Sequence, residues 1–371
     1  MAVFIILNKI KKKAKEHFMS ENIKDNVLRF FAAANGYRGF RSYFDELYES
    51  GNFNRIYVLK GGPGTGKSSF MKAISEHFTK KCTYVEEIYC SSDPHSLDGV
   101  IVASKAGRAA LLDGTSPHER DAVIPGAIDE LINLGNGWDE RFIIGRREEI
   151  VSLSGEKSKS YKSAYRYLKI AGVADEFVKE IHLAVFDKFK AKSEAEKLLQ
   201  DIPASDKGKV STRLISSFGR YGEYRLDTLD KASSRKIFIG GNDISAMLFL
   251  NLCIDLLKEK GQKIIRLPYA LDDSMTDGIF LPEHSLAILR GSDGNVNADK
   301  FIIISKSYSE RIRKAEELKH EALDEAKRWF AIASNLHFRL EEIYGEAMNF
   351  DKNNQTLIKK ISEIENILEI V

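Results

Sequence analysis

Residues 56–70 read IYVLKGGPGTGKSSF. A short apolar run, Ile56 to Leu59, enters a glycine-rich turn, and KSSFMKAISEHF leaves it with the composition of a helix. Strand, glycine loop and helix in that order form a phosphate-binding loop, GxxxxGK[ST]. Gly61, Gly62, Gly64 and Gly66 let the backbone turn so that its N–H groups face an anion. Pro63, Thr65 and Ser69 fill out the cradle. The N-terminus of the following helix favours negative charge. Lys67 is expected to reach the β- and γ-phosphates, and the Ser68 hydroxyl to hold Mg2+.

A second metal-positioning carboxylate is needed, and AALLDGTSPHE (109–119) supplies it as an apolar strand ending in Asp113. No acidic residue follows Asp113 directly; Gly114 and Thr115 do. His118 and Glu119, just beyond, are the candidates to polarise water or a substrate hydroxyl. Asp93 and His95 in SSDPHS are expected on the same sheet edge as possible substrate contacts. Arg38 in ANGYRGF is a candidate charge stabiliser, and Trp138 reads as a packing residue.

The frame of the loop occurs twice. GGPGTGKSSF (61–70) falls on GGNDISAMLF (240–249), SLDGVIVASK (96–105) on MTDGIFLPEH (275–284), and AALLDG (109–114) on LAILRG (286–291). Gly61, Gly62, Asp98, Gly99 and Gly114 keep their identity at Gly240, Gly241, Asp277, Gly278 and Gly291, which reads as turn and packing chemistry. Gly64, Gly66, Lys67, Ser68, Asp113 and His118 become Asp243, Ser245, Ala246, Met247, Arg290 and Asn295. The residues lost together are those a nucleotide needs, so the second copy is expected to be degenerate. YRYLKIAGVADEFVKEI (165–181) matches KRWFAIASNLHFRLEEI (327–343) at helical spacing, which predicts a helical hairpin after each copy.

The expected fold is therefore α/β: two tandem P-loop NTPase-like lobes, each a parallel sheet flanked by helices with a helical hairpin extension. The predicted boundaries are an N-terminal extension over 1–24, an intact lobe over 25–205 and a degenerate lobe over 206–371, with DIPASDKGK (201–209) as linker. The 371 residues suffice for cores of that size. A net charge of +2 gives no global attraction to nucleic acid or an anionic membrane. Three cysteines, Cys82, Cys90 and Cys253, with no metal spacing read as reduced thiols in a cytoplasmic protein. The apolar opening MAVFIIL is too short to span a bilayer, and its basic block lies on the wrong side for a secretory signal.

NGYRGFRSYF, LKGGPGTGKSSFMKAI, SSDPHSLDGVIV, LLDGTSPHE and PGAIDELINLGNGWDE together resemble a family of uncharacterised bacterial ATPase-like proteins with two tandem P-loop NTPase domains. The resemblance implies ATP binding at Gly61–Ser68 with Asp113, and names no substrate. GGNDISAM departs from an intact second loop. Three functions follow as expectations: a slow Mg-dependent ATPase; a kinase for a nucleotide or small metabolite, motivated by the lack of an acid after Asp113 and the nearby His95, Asp98 and His118; and a non-catalytic ATP-binding regulator. ATP is the expected partner, together with a small molecule or protein not specified by the sequence and possible self-association of the lobes. No membrane span and no nucleic-acid partner are expected.

Overall fold

A computed structural model describes residues 27–291, 300–303 and 310–370. In chain order it places β1 (Val27–Phe31), a hairpin of β2 (Ala33–Gly36) and β3 (Gly39–Ser42), α1 (Phe44–Leu47), β4 (Arg55–Lys60) and α2 (Lys67–Phe78). Strands β5 (Tyr84–Tyr89), β6 (Leu97–Ala103), β7 (Arg108–Asp113) and β8 (Asp129–Asn133) follow, then helices α3 (Glu140–Gly145), α4 (Arg147–Val185) and α5 (Lys188–Leu198). The second half has β9 (Lys209–Thr212), a hairpin of β10 (Ser216–Gly219) and β11 (Gly222–Arg225), α6 (Thr228–Ala232), β12 (Arg235–Gly240) and α7 (Asp243–Glu259). It closes with β13 (Lys263–Pro268), β14 (Thr276–Leu281), β15 (Leu286–Arg290), β16 (Lys300–Ile303), α8 (Glu310–Glu346) and α9 (Asp351–Ile367).

Two six-stranded sheets carry the chain. The first runs β1-β5-β6-β7-β4-β8 and the second β9-β13-β14-β15-β12-β16. Strand for strand, the order is the same. Both sheets are mixed, which corrects the expectation of a parallel sheet: β6 and β14 lie antiparallel to both neighbours, and the remaining pairs are parallel. The reason is loop length. Only residues 104–107 separate β6 from β7, which suffices for a hairpin but not for the dozen or more residues of a parallel crossover.

The helical tails depart from the expected hairpins. The long helices α4 and α8 pack on each other and run antiparallel: Ile150 and Leu153 meet Leu340 and Ile343 at one end, and Lys319 Nζ lies 2.6 Å from Asp175 Oδ1 towards the other. The shorter helices cross over. Ala191, Ala195 and Leu199 of the α5 segment join the core of the second sheet with Phe249 and Leu250. Ile364 and Leu368 of the α9 segment join the core of the first sheet with Tyr57 and Leu111. Leu357, Ile361, Ile364 and Leu368 form the i, i+4, i+7 stripe that gives α9 one apolar face.

The β2–β3 and β10–β11 hairpins also reach across. A Cβ on Gly36 would lie 2.9 Å from Leu271 O, and one on Gly219 would lie 2.9 Å from Ser92 O. Each hairpin therefore leans on the loop after the second strand from the edge of the opposite sheet, at a glycine that alone permits the approach. Phe31 and Leu214, at the two edge strands, exchange backbone hydrogen bonds of 2.8 and 2.9 Å. Beside them Arg213 is buried and paired with the fully buried carboxylate of Glu86. The guanidinium and the Tyr84 hydroxyl hold the Glu86 pKa below its ordinary value although burial opposes it. Removing one partner of such a pair leaves an uncompensated buried charge. Arg213→Ala is expected to lower unfolding free energy by about 3–5 kcal/mol in a chemical denaturation series, with much of the loss recovered in the Arg213→Met, Glu86→Leu double variant.

Candidate functional site

Strand β4 is buried from Ile56 to Leu59 and delivers the chain into the glycine loop at the sheet edge. Gly61, Gly64 and Gly66 take φ of +138°, +72° and +85°, which side chains rarely adopt. Gly66 is the N-cap of α2, a twelve-residue helix. Among the described residues, no acceptor in the chain is paired with the N–H groups of Gly64, Gly66, Lys67 or Ser68. The first N–H groups of a helix have no partner within it, and at a helix N-terminus such groups form an anion-binding concavity. Lys67 Nζ donates to Gly61 O at 2.8 Å and Gly62 O at 3.0 Å, and lies 3.7 Å from Asp113 Oδ2. Thr65 Oγ1 donates to Gly62 O at 2.9 Å and braces the turn. Ser68 Oγ accepts from Leu97 N–H at 2.9 Å, tying the helix start to β6.

Asp113 ends β7, next to β4, and its Oδ1 accepts from the Thr115 N–H and hydroxyl at 2.9 and 2.6 Å. Asp98 stands beside it on β6: the register pairs Gly99 with Leu112, which sets the two aspartates opposite each other on antiparallel strands. His118 closes the group, its ring stacked on Phe44 at 4.5 Å and 8°. One ligand atom from each of Asp98, Asp113 and His118 lies within 4.8 Å of the others. His118 Nε2 is 3.8 Å from Asp98 Oδ2, and neither ring nitrogen has a hydrogen-bond partner. Sequence reasoning gave Asp98 no ligand role: its identity in both copies read as packing, and it entered only as a neighbour of Asp113 in the kinase expectation. The signal was present in the strand pattern: a buried acid opposite Asp113 is not a turn residue.

Burial pushes the Asp98 carboxyl up to about 6; His118 pulls it down and Asp113 pushes it further up. A folded pKa above the unfolded value of roughly 4 means that the native state binds the extra proton. The stabilising contribution is complete below pH 4 and is lost as pH rises through 6. Asp98→Asn is expected to melt higher than wild type at pH 8, to approach it near pH 4, and to remove up to about 3 kcal/mol of pH dependence between them. Melting curves of the metal-free proteins across that range check this.

The second half reaches over the glycine loop. A Cβ on Gly64 would lie 2.4 Å from Glu341 O on α8, and one on Gly66 would lie 3.4 Å from the Phe350 ring. Asn353 Nδ2 donates to Thr65 O at 3.0 Å. His337 and Glu341 of α8 and Lys157 of α4 feel the charges around Lys67. Burial, reinforced by Lys157 and Lys67, holds the His337 imidazole down to about 4, while burial raises Glu341 and lowers Lys157. Trp138 lies against Gly62, 3.2 Å from where a Cβ would stand, and tilts on Tyr344 at 5.3 Å.

The remaining candidates scatter. Glu119 is exposed and lines an open depression of about 470 Å3 with Lys60, Thr115 and Asp121. Pro63 is half-buried beside the loop and Ser69 is exposed. Arg38 is exposed on the hairpin that leans on the second half. Asp93 Oδ1 accepts from His95 N–H at 3.3 Å, and the His95 ring meets Tyr221 of the second half edge-on at 5.6 Å.

At the matching place in the second sheet a salt bridge stands. The register there sets Asp277 opposite Arg290. Arg290 Nε lies 2.6 Å from Asp277 Oδ1 and Nη1 lies 2.9 Å from Asp243 Oδ2. Arg225 Nη1 adds 2.5 Å to Asp277 Oδ2. Ala246, in the place of Lys67, is buried. Asn295, in the place of His118, lies outside the described residues.

No described helix is long and apolar enough to cross a membrane. No protein-family model matches the chain, and neither a curated protein nor a solved structure is significantly similar to it.

Proposed function

We propose that the chain is an ATP-binding protein of two tandem P-loop NTPase-like lobes, one with a working phosphate cradle and one degenerate. In this reading it is a slow Mg-dependent ATPase. The observation that carries the proposal is the glycine loop: four N–H groups without acceptors at the start of α2, three glycines at positive φ, and Lys67 held beside them by carbonyl oxygens. Such a loop supplies dipoles and one ammonium to a polyphosphate. The equal strand order of the two sheets supports a duplication.

Ser68 and Asp113 would hold Mg2+. They fit it: both are oxygen donors next to the loop, and Asp113 Oδ2 lies 3.7 Å from Lys67 Nζ. Bound there, the ion would neutralise phosphate charge. Lys67 would leave the Gly61 and Gly62 carbonyls for the phosphates. His118, with Asp98 at 3.8 Å, is placed beside Asp113, where it would help to polarise the attacking water. Glu119 is exposed and lines the depression beside Thr115.

The cover of α8 over Gly64 favours slow exchange, and with it a second reading: ATP binds and stabilises the lobe arrangement without turnover. Phosphate release from Mg·ATP by purified protein separates the two. Turnover abolished in His118→Ala with binding intact supports hydrolysis. Binding without any release supports the regulator. Absence of binding removes both.

A further inference from the structure

We infer that Asp98, Asp113 and His118 form a binding site for a divalent first-row transition metal, filled without nucleotide. Like charges directly opposite on neighbouring antiparallel strands repel, and Asp98 and Asp113 stand so, in a largely buried place. In the second sheet the same cross-strand position carries an acid and a cation: Arg290 bonds Asp277 and Asp243, and Arg225 adds a second guanidinium. That half has built its positive charge into the chain. Among the described residues, the first half has no guanidinium bonded to Asp98 or Asp113. Lys67 reaches Asp113 only at 3.7 Å and spends its hydrogen bonds on two carbonyls.

His118 points to the nature of the missing cation. Its side chain is 6% exposed, both ring nitrogens lack partners, and the stack on Phe44 fixes the ring plane beside the two acids. An unpartnered buried imidazole costs free energy that a metal–nitrogen bond removes. Two carboxylates and one imidazole select Mn2+, Fe2+ or Zn2+ over Mg2+ or Ca2+, which prefer oxygen alone. Ligand atoms within 4.8 Å of one another close on a shell of about 2.1 Å by side-chain shifts on the order of 1 Å. Open positions remain for water or a substrate oxygen, as in catalytic centres.

Mn2+ alone, added to the full chain without nucleotide, tests this independently of the ATP reading. Loss of the free-ion electron paramagnetic resonance signal should give one Mn2+ per chain, with nitrogen modulation in the pulsed spectrum from an imidazole ligand. His118→Ala and Asp98→Asn should each weaken binding by about tenfold or more. Lys67→Met, which cannot bind ATP on the reading above, should bind Mn2+ at least as well as wild type. Melting curves establish that the variants are folded. The nitrogen signature needs no variant, so a misfolded His118→Ala would not decide the matter. Absence of bound Mn2+ at millimolar concentration, absence of nitrogen coupling, or equal binding by wild type and folded His118→Ala would overturn the inference.

Discussion

Lys67→Ala is expected to lose Mg·ATP binding by about a hundredfold or more, equivalent to roughly 3 kcal/mol. The ammonium sits against the loop carbonyls of Gly61 and Gly62, so its removal takes away the only side-chain cation described in direct contact with the loop. Charge-assisted contacts to phosphate are the strong class of hydrogen bond. The side chain is largely covered and its carbonyl bonds are local, so the fold should survive. The readout is thermal: Mg·ATP should raise the melting temperature of wild type and leave that of Lys67→Ala unchanged. Ala246→Ser, at the matching place in the second half, should respond to nucleotide as wild type does.

Deleting residues 351–371 should unfold the first half. Helix α9 belongs to the core of the first sheet although it is last in the chain. Ile364 and Leu368 are fully buried there, and Leu357 and Ile361 pack beside them. At about 1.5–3 kcal/mol for each fully buried side chain, with less from the partly buried ones, the helix contributes about 5–8 kcal/mol. That is comparable with the whole stability of an ordinary domain. The deletion also strips Lys360 from Glu130, at 2.6 Å, and Asn353 from Thr65 O in the glycine loop. Near-ultraviolet circular dichroism and limited proteolysis should both report loss of native packing between residues 27 and 140. A truncated chain that melts with wild type would refute the crossover of the helices.

How much of this was legible depends on the range of the interaction. The glycine loop is local, and its reading needs only strand, glycines, Lys67 and helix in order. The doubled frame was legible because two short motifs repeat at nearly constant spacing. The antiparallel turn of β6 was also within reach, since the four residues between Ala103 and Arg108 exclude a crossover. The exchange of α5 and α9 was not. An amphipathic stripe such as Leu357, Ile361 and Ile364 tells which face is buried and is silent about the surface that covers it. Asp98 was given no ligand role for a different reason. Its identity with Asp277 suggested architecture, whereas the partner across the strand differs, Asp113 in one sheet and Arg290 in the other. The pair carries the chemistry, and a comparison of single positions does not see pairs.

The central claim is the inequality of the two halves, and the stoichiometry of nucleotide tests it most directly. Calorimetric titration of the full chain with Mg·ATP should give one nucleotide per chain. Two per chain would contradict the Arg290–Asp243 closure of the second half, and none would contradict the cradle at Lys67.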